Sequence, residues 1–306
     1  MVSAPPTPHG GNPGPRAGVP VALRCPVTLI ARDLTVSYPD QPRGARPVLE
    51  KVCCAIAPGR ITAIIGPNGA GKSTLLRALA GVRRADSGGV KLDGQAVGSM
   101  RPRDRARRIA LAVQQPGVAF GFDARRVIAF GAEGSGARAG ATDRAIERFQ
   151  LAQLADRPFD TLSVGQRQRV SLARAFAQLD VPSEVRSEAR PDAYLLADEP
   201  VSAMDPRYAV AAIGAIRDLA RGGIGVAIVL HDLTAAAALA DDAILLGAPG
   251  TLVAQGPAKE VLTANSLSDL FETPIRRAHA QGIGPVIGQP IPDDQPAPLP
   301  SPASDS

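Results

Sequence analysis

The sequence predicts an α/β fold, with a mainly parallel sheet covered by helices on both faces. Three observations predict it. Apolar segments such as "AYLLAD" and "GVAIVL" are short enough to be strands buried on both sides. Helical segments alternate with them, as parallel neighbours joined by crossover helices require. A glycine-rich loop, "GPNGAGKST", joins one such strand to a helix.

Bulk properties set the limits. The 306 residues allow one large domain or two small ones, and a 45% hydrophobic content supports a substantial core. No apolar run is long enough to predict a transmembrane helix. Residues 1–20 hold six prolines and no apolar stretch of leader-peptide length, so a cytosolic location is expected by default. Cys25, Cys53 and Cys54 have neither disulfide-framework nor metal-ligand spacing. On a strand, the adjacent Cys53 and Cys54 would face opposite sides as small apolar fillers.

The formal net charge is +5, carried almost wholly by arginine; the lysines are Lys51, Lys72, Lys91 and Lys259. Such a balance suits nucleic acid or an anionic membrane surface. The densest basic run, "RPRDRARR" at 101–108, reads as a solvated helix start. With 3% aromatics and no tryptophan, platforms for base stacking are scarce.

In chain order, residues 1–26 are rich in proline and glycine and read as a disordered tail. "VTLIARDLTVSY" and "PVLEKVCCAI" read as strands, and "RITAIIG" as a short apolar strand ending at Gly66. "KSTLLRALAG" follows as a helix, with Gly81 as its stop signal. "GGVKLDG" is a further strand with a turn. From about 123 to 178 the pattern is mostly helical, an insertion into the alternating plan. Then come the strand "AYLLAD", the helix "RYAVAAIGAIRDLARG", the strand "GVAIVL", the helix "LTAAAALADD" and the strands "AILLG" and "TLVAQG". The folded domain is expected over 27–278, with a second disordered, proline-rich tail over 279–306.

The loop fits G-x-x-x-x-G-K-[ST] in the strand-to-helix context that gives the pattern its meaning. Its residues are Gly66, Pro67, Asn68, Gly69, Ala70, Gly71, Lys72, Ser73 and Thr74. Glycines let the backbone wrap phosphates closely, and free N–H groups at the helix start face the anion. Lys72 adds a cation for the β- and γ-phosphates, and Ser73 a hydroxyl for Mg²⁺.

"AYLLADEP" ends its strand with Asp198 and Glu199. Carboxylates leaving a buried strand are costly without a compensating cation. A strand end that has reached solvent is the alternative. Beside a phosphate loop, Mg²⁺ shared by Ser73 and Asp198 explains more, and Glu199 can then orient or deprotonate the attacking water. "IVLHDL" places His231 at the end of another buried strand, at the sheet edge where ligands of such folds bind. A structural histidine is the bland alternative to γ-phosphate contact.

These residues, in this order, resemble the ATP-binding subunits of ABC transporters over about 27–275. The resemblance implies a P-loop NTPase fold with an added antiparallel β subdomain and an inserted helical subdomain at about 115–180. It identifies Gly66–Thr74 as the Walker A loop and Gln115 of "LAVQQPG" as the Q-loop glutamine, a further Mg²⁺ ligand. It identifies Ser163, Val164, Gly165 and Gln166 as the signature, Asp198 as Walker B and Glu199 as the catalytic carboxylate. Asp205 of "SAMD" matches the D-loop, His231 the switch histidine, and Tyr38 the aromatic that stacks on adenine.

The family's mechanism is implied with it. Two such chains face each other head to tail and close over two ATP molecules with Mg²⁺. The signature of one completes the Walker site of the other. Hydrolysis reopens the pair and drives two integral-membrane permease subunits from the cytoplasmic face of the inner membrane. A periplasmic or lipoprotein substrate-binding protein supplies the cargo, and no nucleic-acid partner is expected. Val164 departs from the usual L-S-G-G-Q, and Gln114 stands where proline is frequent.

Single-domain architecture resembles a bacterial importer subunit. "QQPGVAFGFDARRVIAFG" and the long stretch from Ser163 to Asp198, with its extra "QLDVPSEVRSEARPDA", resemble hemin-import subunits. Another iron chelate or cobalamin is the alternative cargo. A non-transport member acting on nucleic acid or ribosomes would need a long coiled-coil insertion or a second ATPase domain, and the sequence has neither.

Overall fold

The computed structural model describes residues 29–38, 44, 46–114, 121–180, 193–280 and 284–288. The expected N-terminal tail, Cys25 and Gln115 lie outside the described residues.

A six-stranded sheet forms the centre. Its strands are β3 (Ile61–Ile65), β6 (Ile109–Ala112), β7 (Tyr194–Asp198), β8 (Gly225–Val229), β9 (Asp242–Gly247) and β10 (Thr251–Pro257), in the spatial order β10-β9-β3-β8-β7-β6. All neighbours are parallel except β9 and β10. Every residue of β3, β7 and β8 is buried, the pattern of strands covered on both faces.

A second, antiparallel sheet has the order β2-β1-β4-β5, from β1 (Leu29–Val36), β2 (Leu49–Ile56), β4 (Ser87–Leu92) and β5 (Gln95–Ala96). Here alternate residues are buried, as in β2, where Leu49, Val52, Cys54 and Ile56 face the core. Cys54 is buried and Cys53 half-buried, as adjacent strand residues on opposite sides should be. Burial pushes the Cys54 thiol up to about 12.

Helix α1 (Lys72–Leu79) leads from β3 to β4 of the second sheet, while α6 (Pro206–Arg221) and α7 (Leu233–Leu239) cross between strands of the main sheet. The basic run forms α2 (Pro102–Arg108), which has no buried residue and is the solvated helix its charges require. Between β6 and β7 lie α3 (Ala124–Ser135), α4 (Ala141–Arg148) and α5 (Val164–Leu179), the helical insertion. Phe149 and Phe176 lock α5 to the end of α4, edge to face, with ring centroids 4.8 Å apart.

After β10 come α8 (Ala258–Val261), α9 (Ala264–Phe271) and a hairpin of β11 (Arg276–Ala280) with β12 (Gly284–Gly288). This hairpin spans position 278, the expected end of the domain. Two hydrogen bonds hold the hairpin to α7: the Ile287 N–H donates to Thr234 Oγ1 at 2.9 Å, and the Thr234 hydroxyl donates to the Ile287 carbonyl at 3.2 Å.

Candidate functional site: a phosphate-loop pocket

Three adjacent strands of the main sheet point their carboxyl ends at one place. The loop after β3 is the glycine-rich loop, β7 ends on Asp198, and His231 follows β8. This is the edge where ligands of parallel sheets bind.

The loop has the shape that its sequence demands. Gly69 and Gly71 both have φ 81, a left-handed conformation that side chains rarely adopt. At Gly71 a Cβ would also sit 2.8 Å from the Val48 carbonyl oxygen. Lys72 is buried, and its Nζ donates to the Gly66 and Pro67 carbonyls at 2.8 and 2.9 Å. Burial lowers the Lys72 pKa, and the charges of Glu199 and Asp198 partly oppose that. A cation curled onto its own loop, above a helix start, is set to meet a phosphate.

A pocket of about 250 Å³ opens over the loop. Asn68, Gly69, Gly71, Lys72, Ser73 and Thr74 line it, with Glu199 and His231 opposite. Val48, from the β1–β2 connection, lines it too; nothing in its own sequence marked it. Gly66, Pro67 and Ala70 belong to the loop but do not line the pocket. Tyr38 stands beside it: its hydroxyl and Thr74 Oγ1 are 3.1 Å apart, and the Arg83 guanidinium lies 4.4 Å from its ring centroid. The Thr74 contact holds the Tyr38 pKa down.

Asp198 is buried, and burial raises its pKa above the ordinary carboxylate value against a hydrogen bond from Ser73. Its Oδ1 has no hydrogen-bond partner. An orphaned carboxylate oxygen beside a serine hydroxyl fits a divalent cation, which would satisfy it.

Glu199 sits at φ 46, left-handed for a residue with a side chain, at a cost of about 1–2 kcal/mol. The strain aims its carboxylate across the pocket. Oε1 lies 2.5 Å from His231 Nε2, and Oε2 accepts from Gln114 Nε2 at 2.6 Å. Gln114, the neighbour of the expected Mg²⁺ ligand Gln115, makes this contact to the carboxylate; Gln115 itself lies outside the described residues.

The stretch "SVGQ" is elsewhere. Ser163 caps α5: its Oγ accepts from the Gln166 N–H at 3.3 Å, and the Gln166 side chain returns to the Ser163 N–H at 3.0 Å. Val164 is 50% exposed. None of Ser163, Val164, Gly165 or Gln166 lines the pocket of its own chain. Asp205 caps α6 through the Arg207 N–H at 3.0 Å.

The loop, the carboxylate pair and the parallel sheet define a P-loop nucleotide hydrolase. Comparison with known proteins gives the narrower assignment. The ABC transporter family matches residues 49–180. The hemin import ATP-binding protein HmuV of Nocardia farcinica is 41% identical over 256 residues, 81% of this chain and 84% of that protein. Its namesake from Bradyrhizobium diazoefficiens is 38% identical over 248 residues, 80% of this chain and 91% of that protein. The chain belongs to the ATP-binding subunits of ABC transporters.

Solved structures carry the same fold. An ATP-binding subunit of an ABC transporter matches with a TM-score of 0.66 at 24% identity, covering 80% of this chain and 98% of that one. A metal-chelate type ABC transporter in an inward-facing conformation matches with a TM-score of 0.65 at 23% identity, over 86% and 96%.

Proposed function

We propose that this chain is the ATP-hydrolysing subunit of a bacterial ABC importer that takes up hemin. The observation that carries the ATPase reading is the convergence of Lys72, Ser73, Glu199 and His231 on one pocket above a glycine-rich loop, with Asp198 buried behind Ser73. Relatives named for hemin import, at 38–41% identity over most of the chain, support the cargo.

The residues divide the work. Loop N–H groups and Lys72 hold the β- and γ-phosphates, and Tyr38 stacks on adenine. Ser73 and Asp198 would hold Mg²⁺, with a glutamine of the 114–115 pair. Bound there, the ion neutralises charge that develops on the phosphates. Glu199 accepts a proton from the attacking water; each of its oxygens keeps a lone pair beyond the contact to His231 or Gln114. His231 keeps Glu199 aimed and stands within reach of the γ-phosphate.

Ser163 and Gly165 do not line their own pocket, as half of a site completed by a second copy would not. The working assembly is a homodimer bound to two permease subunits at the cytoplasmic face of the inner membrane. A substrate-binding protein outside supplies the cargo. No helix among the described residues is long and apolar enough to cross a membrane.

Glu199→Gln tests the chemistry. Gln keeps the shape and one acceptor for the Gln114 amide but loses the basic oxygen. Hydrolysis should fall by about 10²–10⁴-fold, as for removal of a general base, while ATP binding persists and an ATP-bound dimer accumulates. A variant that hydrolyses ATP at the wild-type rate removes Glu199 from this role.

A further inference from the structure

We propose that Gln168 is a positioning residue that ties the signature helix to the strained turn carrying Glu199. The proposal rests on Glu199 acting as the base. It adds how one chain links its half of a partner's ATP site to the carboxylate of its own.

Gln168 is buried, at 3% exposure, one turn into α5. Its amide is spent on a single target. Nε2 donates to the Glu199 carbonyl at 3.3 Å and to Ser202 Oγ at 3.0 Å, and Oε1 accepts from the Ala203 N–H at 3.0 Å. The Ser202 hydroxyl also donates to the Glu199 carbonyl, at 3.2 Å. The turn from Glu199 to Ala203 is thus gripped by one side chain of the signature helix.

Two neighbours on the same helix face extend the grip, since residues i, i+3 and i+4 share a face. At Gly165 a Cβ would lie 2.2 Å from the Ala203 carbonyl oxygen, so only glycine lets the two backbones meet. The Arg169 guanidinium lies 3.7 Å from the centroid of the Tyr208 ring on α6. Gly165, Gln168 and Arg169 therefore clasp the turn and the helix that follows it.

The consequence concerns the left-handed Glu199. Its side chain is held from the pocket by His231 and Gln114, and its carbonyl from behind by Gln168 and Ser202. A residue in that conformation persists only where surrounding contacts over-determine it. Without Gln168 the rear hold is a lone serine, and the carboxylate can turn away. Movement of Ser163 onto a partner's nucleotide is likewise transmitted through one short, buried link.

The test is Gln168→Met in the full-length chain, which keeps length and burial but removes every polar contact. We expect kcat for ATP hydrolysis to fall about tenfold or more, as small displacements of a reacting group do. The Kd for a fluorescent ATP analogue should stay within about twofold, because no phosphate contact is lost. Hydrogen exchange at the Ala203 amide should become faster. Gln168→Glu, which keeps the acceptor for Ala203 but not the donors to Glu199 and Ser202, should lose kcat in the same way. It serves if the Met variant does not fold. Folded variants with wild-type kcat overturn the proposal, whatever the exchange at Ala203. So does a parallel loss of analogue binding and turnover, which would mark a general structural defect. Glu199→Gln, assayed alongside, separates the two levels. If it retains turnover, the underlying base assignment fails; if it is dead while the Gln168 variants are active, only the tie fails.

Discussion

Gly165→Ala probes the close approach of the signature helix to the turn that follows Glu199. The added Cβ falls 2.2 Å from the Ala203 carbonyl oxygen and 3.1 Å from its carbon. Both are backbone atoms, so no side chain can swing aside. Ordinary contact requires roughly 1 Å more, and the helix start and the turn must part by about that much. Overpacking of this kind costs about 1–3 kcal/mol. Alanine returns about 1 kcal/mol in helix propensity, leaving a net loss of up to about 2 kcal/mol. For a chain of this size the melting temperature should drop by up to about 8 °C. Gly214, inside α6, is the control. No atom lies within 4 Å of its added Cβ, so the same substitution should stabilise, by up to about 1 kcal/mol. Thermal unfolding and steady-state ATPase on both variants give the readout. The displacement carries Glu199 with it, so Gly165→Ala should also lose about tenfold or more in kcat, and Gly214→Ala should keep it. A Gly165→Ala protein that melts at or above the wild type with unchanged kcat would refute this reasoning.

Two further predictions concern the same pocket. Burial raises the Asp198 pKa, so the folded chain binds that proton more tightly than the unfolded one, and ionisation destabilises the fold as pH rises through the carboxylate range. Asp198→Asn should therefore raise the melting temperature of the nucleotide-free chain at neutral pH while abolishing hydrolysis. The gain should shrink as pH falls through the raised folded value and vanish below the unfolded carboxylate range, and no gain at pH 7 would contradict the sign. Val164, half-exposed at the helix start, is a branched side chain where the family pattern has glycine. Val164→Gly should speed ATP hydrolysis if that branch slows closure, and an equal or slower rate would show that it does not.

The central strands and their catalytic ends were legible because their apolar runs are short, fully buried and punctuated by chemistry: Gly66 after β3, Asp198 at the end of β7, His231 after β8. The antiparallel sheet was legible from alternation in "LEKVCCAI". Other parts were not. β6 has four residues behind an arginine-rich helix, too short for a periodic signal. The β11–β12 hairpin lies in glycine- and proline-rich sequence, and its order depends on hydrogen bonds to the distant Thr234. Val48 reaches the pocket through tertiary contact alone. The contact of Gln114 with Glu199 depends on the path of the chain after β6, which the letters do not give. Gln168 reads as an ordinary helix residue until the Glu199 turn is seen beneath it, and the signature reading of Gly165 says nothing of its approach to Ala203.

The most direct test of the whole account is the ATPase rate of this chain reconstituted with its permease in lipid. The measurement is made before and after hemin is delivered by the substrate-binding protein. The account predicts that the permease raises the rate, that hemin raises it further with hemin accumulating across the bilayer, and that Glu199→Gln abolishes both responses. A rate indifferent to hemin but raised by another iron chelate or cobalamin would contradict the cargo, and one raised only by DNA or ribosomes would contradict transport.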